Sequence, residues 1–177
     1  MIEYLKSPFT LWLYYIVTKL QWRVMDRTVR IDYMAKVIRS GIGCWVHLYH
    51  DTRLTDSYIG NYSYIAPETK VQNTVIGEYC SIGPRCMIGL GYHPSNLEST
   101  HPSFYSTKHH YSQGIDLGVI ESQRITIGDH VWIGAGVIIF DGVRIGDHVT
   151  IAAGSVVNRS IKSGRTVGGN PIMTISK

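Results

Sequence analysis

His93, His101, His109 and His110 fall close together, interleaved with Tyr92, Tyr105 and Tyr111 and followed by Asp116 and Glu121. Imidazole is the side chain that gains and loses a proton near neutral pH, so such a cluster can act as general acid or base on a bound ligand. Phenol rings add apolar faces with polar tips. Two of the histidines precede proline, in the stretch GLGYHPSNLESTHPSFYS (residues 89–106). The glycines ahead of His93 let the backbone turn sharply, and Pro94 stiffens the chain just after it. His93 is therefore the candidate base. His101 is the rival base, and with Tyr92 and Tyr105 it is assigned to the pocket for the second reactant. The group that orients His93, a backbone carbonyl or a carboxylate, stays open, with Glu98, Asp116 and Glu121 as the carboxylates within the loop.

Regular elements have to carry this stretch. From Ile42 onward the aliphatic residues form a series: Ile42, Leu48, Leu54; Ile59, Ile65, Val71; Ile76, Ile82, Ile88. The step is six within each triplet and five between triplets, a unit of 17 residues. Beyond the histidine-rich stretch, Ile127, Ile133, Ile139, Ile145, Ile151 and Val157 keep an unbroken step of six, a unit of 18. A six-residue step sits badly on a helix of about 3.6 residues per turn, and two-residue alternation does not single out every third inward position. Three short strands joined by tight corners account for it, closing a triangular coil whose inward aliphatic residues stack on those of the next. Small residues after the aliphatic, as in IAAGS, suit corners where a larger side chain crowds the backbone or resists unusual dihedrals. A solenoid tolerates an insertion only at a corner, so residues 89–126 are expected to be a long surface loop.

With 177 residues, 44% hydrophobic and 17% charged, the chain has the composition of one globular domain. Its formal net charge of +4 is a mild bias that suits an anionic ligand, and no basic cluster points to nucleic acid. Cys44, Cys80 and Cys86 are odd in number and scattered over repeat positions, which argues for small buried hydrophobes in a reducing, cytoplasmic setting. The segment SPFTLWLYYIVTKLQWRV lacks the marks of a signal peptide, and its uninterrupted run from Leu11 to Val17 is far below the roughly 20 residues of a spanning helix. After Ser7-Pro8 it is expected to form an amphipathic helix packed on the rest of the protein. Lys6, Lys19 and Arg23 beside Trp12, Tyr14, Tyr15 and Trp22 also suit a helix lying on a membrane interface, which is the alternative reading. The expected organisation is a helical segment at 1–40, a β-helix at 41–172 interrupted by the loop, and a tail at 173–177.

The segments IGNYSYIAPETKV, IGEYCSIGPRCMIG and ITIGDHVWIGAGVIIFDGVRIGDHVTIAAGSVV resemble the hexapeptide-repeat acyltransferases, and the likeness covers roughly Ile42 to Pro171. Most similar in appearance are the sugar and chloramphenicol-type O-acetyltransferases, which often carry a segment like HPSNLESTHPSFYS at this place. The resemblance implies an all-β fold, a left-handed parallel β-helix. It implies a homotrimer and, without a metal, transfer of an acetyl group from acetyl-coenzyme A to a hydroxyl of a sugar or polysaccharide precursor. It assigns the general base to His93, in the HP after a coil ending in IG. By motif it lays Ala135 of WIGAGV and Ala153 of IAAGSVVNR against the pantetheine arm. Asn158 and Arg159 stand where the family often has Thr-Lys near the nucleotide phosphates, and Arg159 keeps the positive charge. VGGNP resembles the closing Gly-x-Pro motif, but Ile172 and Met173 follow where the family commonly has an alanine and basic residues.

An amino sugar or an antibiotic is the alternative acceptor. Two readings belong to other classes. The γ-type carbonic anhydrases use the same solenoid and hold zinc with three histidines; His130 and His148 stand one 18-residue unit apart here, which should set them side by side on one edge without tetrahedral convergence. A non-catalytic scaffold would leave the histidine-rich loop without a role.

Overall fold

The computed structural model describes residues 7–176, so Lys6 lies outside the described residues. Helix α1 (Pro8–Met25) begins where Ser7 caps it: the Ser7 hydroxyl accepts the Thr10 N–H at 3.2 Å, and the Ser7 N–H donates to the Thr10 hydroxyl at 3.0 Å. Its inner face, with Tyr15 and Thr18 buried and Trp22 against the core, rests on the first coil. The Tyr14 hydroxyl donates to the Val37 carbonyl at 2.7 Å.

The rest of the chain winds into a three-sided prism. Face A carries β1 (Arg30–Ile31), β4 (His47–Leu48), β7 (Tyr64–Ile65), β10 (Ser81–Ile82), β13 (Trp132–Ile133), β16 (Thr150–Ile151) and β18 (Thr166–Gly168), with β19 (Met173–Ser176) antiparallel on its edge. Face B carries β2 (Lys36–Ile38), β5 (Arg53–Thr55), β8 (Lys70–Gln72), β11 (Met87–Ile88), β14 (Ile138–Ile139) and β17 (Val156–Val157). Face C carries β3 (Gly41–Ile42), β6 (Tyr58–Ile59), β9 (Thr74–Ile76), β12 (Ile125–Ile127) and β15 (Arg144–Ile145). This is the expected left-handed parallel β-helix. The 17-residue unit is explicit in the register of His47 with Tyr64 and Tyr64 with Ser81, and the 18-residue unit in that of Trp132 with Thr150. Every expected rung is buried except Ile42, which is half-buried against the same core. Each buried aliphatic contributes about 2–3 kcal/mol of transfer free energy, an upper figure because the unfolded chain is itself partly collapsed.

Three boundaries differ from expectation. The solenoid starts at Arg30, within the segment 1–40: Ile31 and Val37 are rungs in register with Leu48 and Leu54, one 17-residue unit earlier than the series was begun. The residues assigned to a tail at 173–177 include β19, whose backbone pairs with the otherwise open edge of β18. The insertion ends at Arg124, two residues before the expected 126. It leaves after β11 on face B and returns at β12 on face C, and Ile76 pairs with Ile127 as if nothing intervened.

The small residues after each rung answer to close approach. A Cβ on Gly134 would meet the Ala153 backbone nitrogen at 2.5 Å, and one on Gly60 the Gly77 carbonyl carbon at 2.7 Å. The unusual dihedrals fall instead on the corner residue after them. Trp45, Tyr62, Tyr79, His130 and His148 all hold φ between 55° and 58° on the edge between faces C and A. Their exposed rings form one parallel stack, Tyr62 on Tyr79 at 4.9 Å, Tyr79 on His130 at 5.0 Å and His130 on His148 at 4.7 Å. The two imidazoles lie side by side, as the 18-residue spacing implies. Cys80 and Cys86 are buried in corner positions that Ser63 and Thr69 occupy one coil earlier, their thiols donating to the Gly128 and Gly134 carbonyls at 3.1 and 3.2 Å. Cys44, expected to be buried, is exposed at a corner.

Candidate active site

The inserted arm is anchored by one carboxylate. Asp141 follows β14 in the next coil, and its oxygens accept the N–H groups of Leu90 at 2.8 Å, Gly91 at 3.0 Å and Gln123 at 3.1 Å, and the Ser122 hydroxyl at 2.9 Å. Both ends of the arm are thus tied to a single side chain through charge-assisted bonds. Gly89, with φ 79°, is required where the arm leaves: a Cβ there would meet the Gln72 carbonyl oxygen at 2.3 Å. Asp141→Ala is expected to speed limited proteolysis between Gly91 and Gln123 and to lower turnover roughly 10- to 100-fold through misplacement of the arm. Asp141→Asn, which keeps the shape and loses the charge, should fall between.

Within the arm, His93 is exposed and its ring is fixed on one side. Nδ1 lies 3.0 Å from the Thr100 carbonyl oxygen and 2.8 Å from the Tyr105 hydroxyl. A carbonyl can only accept, so the Thr100 contact is a hydrogen bond in the tautomer with the hydrogen on Nδ1, and in that tautomer the Nε2 lone pair is free to take a proton. Tyr105 itself is 1% exposed, and burial, aided by the Glu121 carboxylate, pushes its phenol above the ordinary value and keeps it protonated. The expectation that Tyr105 presents a face to the second reactant is therefore corrected: its ring is packed inside the arm and its hydroxyl lies against His93 Nδ1.

His101 is held the opposite way. It caps the short 3-10 turn Pro102–Phe104, and its Nδ1 accepts the Ser103 N–H at 3.2 Å. The hydrogen of the neutral ring then sits on Nε2, so the atom facing outward is a donor. The two histidines of the His-Pro pairs thus differ in what holds Nδ1: the Thr100 carbonyl favours a hydrogen there in His93, and the Ser103 N–H favours a lone pair there in His101. Tyr92 is exposed beside it, with its backbone N–H on the Glu121 carbonyl at 2.7 Å. None of the three carboxylates considered for orienting His93 touches its ring. Glu121 instead organises the far side of the arm, accepting from the Ser106 hydroxyl at 2.8 Å and Lys108 at 2.9 Å with His109 at 3.4 Å. The Lys108 ammonium, first among these, holds its carboxyl below the ordinary value.

Ala135 and Ala153 stack on the edge between faces A and B, where the Gly154 N–H donates to the Ala135 carbonyl at 2.8 Å. Ala153, Gly136 and Gly154 are exposed and a Cβ on either glycine would meet nothing, so this edge is a shallow ledge, with Gly134 buried beneath Ala153. Asn158 and Arg159 lie one corner farther along, after β17. Arg159 donates to the Ile172 carbonyl at 2.7 Å and lines a cavity of about 420 Å³ with Lys162 and Arg165. Lys162 and Arg165 supply the positive charge that is missing directly after Pro171, and they escaped notice because they stand before the closing motif. The structure brings Ala135 to Ala153 and Arg159 to a basic end. The arm that carries His93 leaves the prism at the edge between faces B and C, whereas the ledge lies at the edge between faces A and B.

The model of the bacterial transferase hexapeptide family, six repeats, matches residues 124–159. No curated protein sequence matches the chain. Among solved structures, a single-residue mutant of perosamine N-acetyltransferase from Caulobacter crescentus, in complex with CoA and GDP-perosamine, superposes with a TM-score of 0.55 at 18% identity, covering 81% of this chain and 54% of that one. The acetyltransferase domain of PglB from Neisseria gonorrhoeae in complex with acetyl coenzyme A gives 0.58 at 17% identity, with 80% and 53% covered. A single-residue mutant of AntD, an N-acyltransferase from Bacillus cereus in complex with dTDP-4-amino-4,6-dideoxyglucose and Coenzyme A, gives 0.61 at 20% identity, with 88% and 87% covered. The chain spans about half the length of the first two proteins. The hexapeptide repeat expected from the sequence is thus matched at residues 124–159, and the chain shares the fold of these solved structures.

Proposed function

We propose that the protein is an acyltransferase that moves an acetyl group from acetyl-coenzyme A to a hydroxyl of a sugar or polysaccharide precursor, with His93 as general base. The observation that carries this reading is the Nδ1 contact of exposed His93 with the Thr100 carbonyl, which favours the tautomer with Nε2 unprotonated. Nε2 takes the proton of the acceptor hydroxyl as its oxygen attacks the thioester carbonyl. The tetrahedral intermediate collapses by breaking the C–S bond, and the imidazolium returns the proton to the departing thiolate. The three solved structures that hold CoA or its acetyl ester on this solenoid support the donor.

The donor lies with its pantetheine arm on the Ala135–Ala153 ledge and its phosphates toward Asn158 and the Arg159, Lys162 and Arg165 end. Because His93 and the ledge sit at different edges, the site is completed by a second copy, and a homotrimer closes three such sites around a threefold axis. Tyr92 and the Nε2–H of His101 face the acceptor. An amino sugar is the second reading, favoured by the N-acyl transfer that the perosamine and AntD proteins perform.

Thiol release from acetyl-coenzyme A, measured against matched hydroxy and amino sugars free and nucleotide-linked, tests the reading. Turnover confined to hydroxyl acceptors is expected; turnover confined to amino sugars moves the assignment to N-acetylation, and none with any acceptor removes the enzyme reading. In the same protein Ala135→Trp should fill the ledge and weaken donor binding by at least about tenfold, roughly 1.4 kcal/mol, checked by calorimetric titration.

A further inference from the structure

Helix α1 is amphipathic in the unexpected direction. The face it turns to the solenoid holds Tyr15, Thr18 and Trp22, whereas Phe9, Leu13, Val17, Leu20 and Val24, spaced four, four, three and four residues apart, form its outer face. Val24 is 85% exposed, Phe9 67% and Leu20 56%. Burial of Thr18 with exposure of a continuous aliphatic stripe runs against the hydrophobic effect unless something covers the stripe. Charge along its border identifies the cover. A groove of about 370 Å³ between the helix and the first coil is lined by Lys19, Arg23, Arg27 and Arg30. The carboxylate it contains, Asp32, is engaged by His47 Nε2 at 2.9 Å. Among the described residues none of these four cations has an ion-pair partner, and the sequence of α1 contains no Asp or Glu. A second copy packed on the stripe would bring the same positive charges, with the carboxylates bordering the helix, Asp26 and Asp32, already engaged by Thr28 and His47.

We propose that α1 is a membrane-docking surface: its outer stripe beds into the headgroup–acyl boundary of a bilayer, and the basic groove holds the phosphates of anionic lipids. Both signals are needed, since a short apolar stripe and a few cations each bind a bilayer weakly. No helix of the described residues is long and apolar enough to cross a membrane, in keeping with a helix that lies in the interface plane. Docking at this end leaves the arm with His93 three coils farther along the prism.

The test is flotation of the full chain with phosphatidylcholine vesicles, with and without phosphatidylglycerol, followed also by Trp12 emission. Binding is expected only with the anionic lipid, with a blue shift, and should fall as ionic strength rises. Val17→Glu with Leu20→Glu should abolish it, and Arg23→Glu with Arg27→Glu should weaken it by roughly tenfold or more. All four positions lie outside the buried core, so the melting curve of each variant should match that of the parent. Absence of flotation, or equal flotation with both vesicle types, overturns the proposal. So does self-association in sedimentation velocity that the Val17/Leu20 variant removes, because it assigns the stripe to a second copy.

Discussion

His93→Ala is expected to lower kcat by about 10²–10⁴-fold while leaving the affinity for acetyl-coenzyme A close to that of the parent. The ring reaches out from an arm whose shape is set by Asp141, Gly89 and the buried Tyr105, so removing it leaves a folded protein with an intact ledge for the donor. The loss is confined to the proton transfer that accompanies attack, and therefore shows in kcat. Steady-state turnover paired with donor titration separates the two quantities. His101→Ala should behave differently, because the outward atom of His101 carries a hydrogen and cannot accept the acceptor's proton. Its effect should fall on KM for the acceptor. Unchanged kcat in His93→Ala, or a larger kcat loss in His101→Ala, would exchange or remove the roles.

The second large effect is on the scaffold. Ile133 lies at the centre of face A between Ile82 and Ile151, is fully buried, and belongs to the coil that bears Ala135. Ile133→Ala should destabilise the protein by about 3–4 kcal/mol, the transfer free energy of the lost methyls plus the cavity they leave in a ladder that collapses poorly. In a solenoid each coil is held by its two neighbours, so a break here uncouples the coils that carry the arm from those that carry the basic end. Urea unfolding checks it: the midpoint should fall sharply, and a second transition should separate if the two halves lose cooperativity. A midpoint change worth under about 1 kcal/mol would contradict the central packing of the ladder.

These two sites differ in how they are written in the chain. Ile133 was legible because its environment repeats: the residues that touch it stand one unit before and after, and the same steric demand recurs at every sixth position. The first coil was equally legible in Ile31 and Val37, and the series was simply begun one unit late. The stacked edge is written at the same period, in Trp45, Tyr62, Tyr79, His130 and His148, of which only the last two were read. His93 was legible as a histidine in an interruption, but its partners were not. Tyr105 reaches it through a fold of the arm that no period describes, and a backbone carbonyl, that of Thr100, leaves no mark in residue types at all. Asp141 bonds to Leu90 across 51 residues, from a corner where an aspartate is ordinary. Contacts within the repeat are local in the coil frame, whereas contacts of the arm are local only in space.

The reading rests on one juxtaposition, an imidazole from the arm of one copy and a thioester on the ledge of the next. A crystal structure of the protein with coenzyme A bound tests this most directly. It should place the sulfur beside His93 Nε2, within hydrogen-bond reach of about 2.6–3.2 Å or through one water, with the pantetheine arm against Ala135 and Ala153 of a neighbouring copy. Coenzyme A seated at an edge that no His93 reaches, in any assembly the crystal contains, would contradict it.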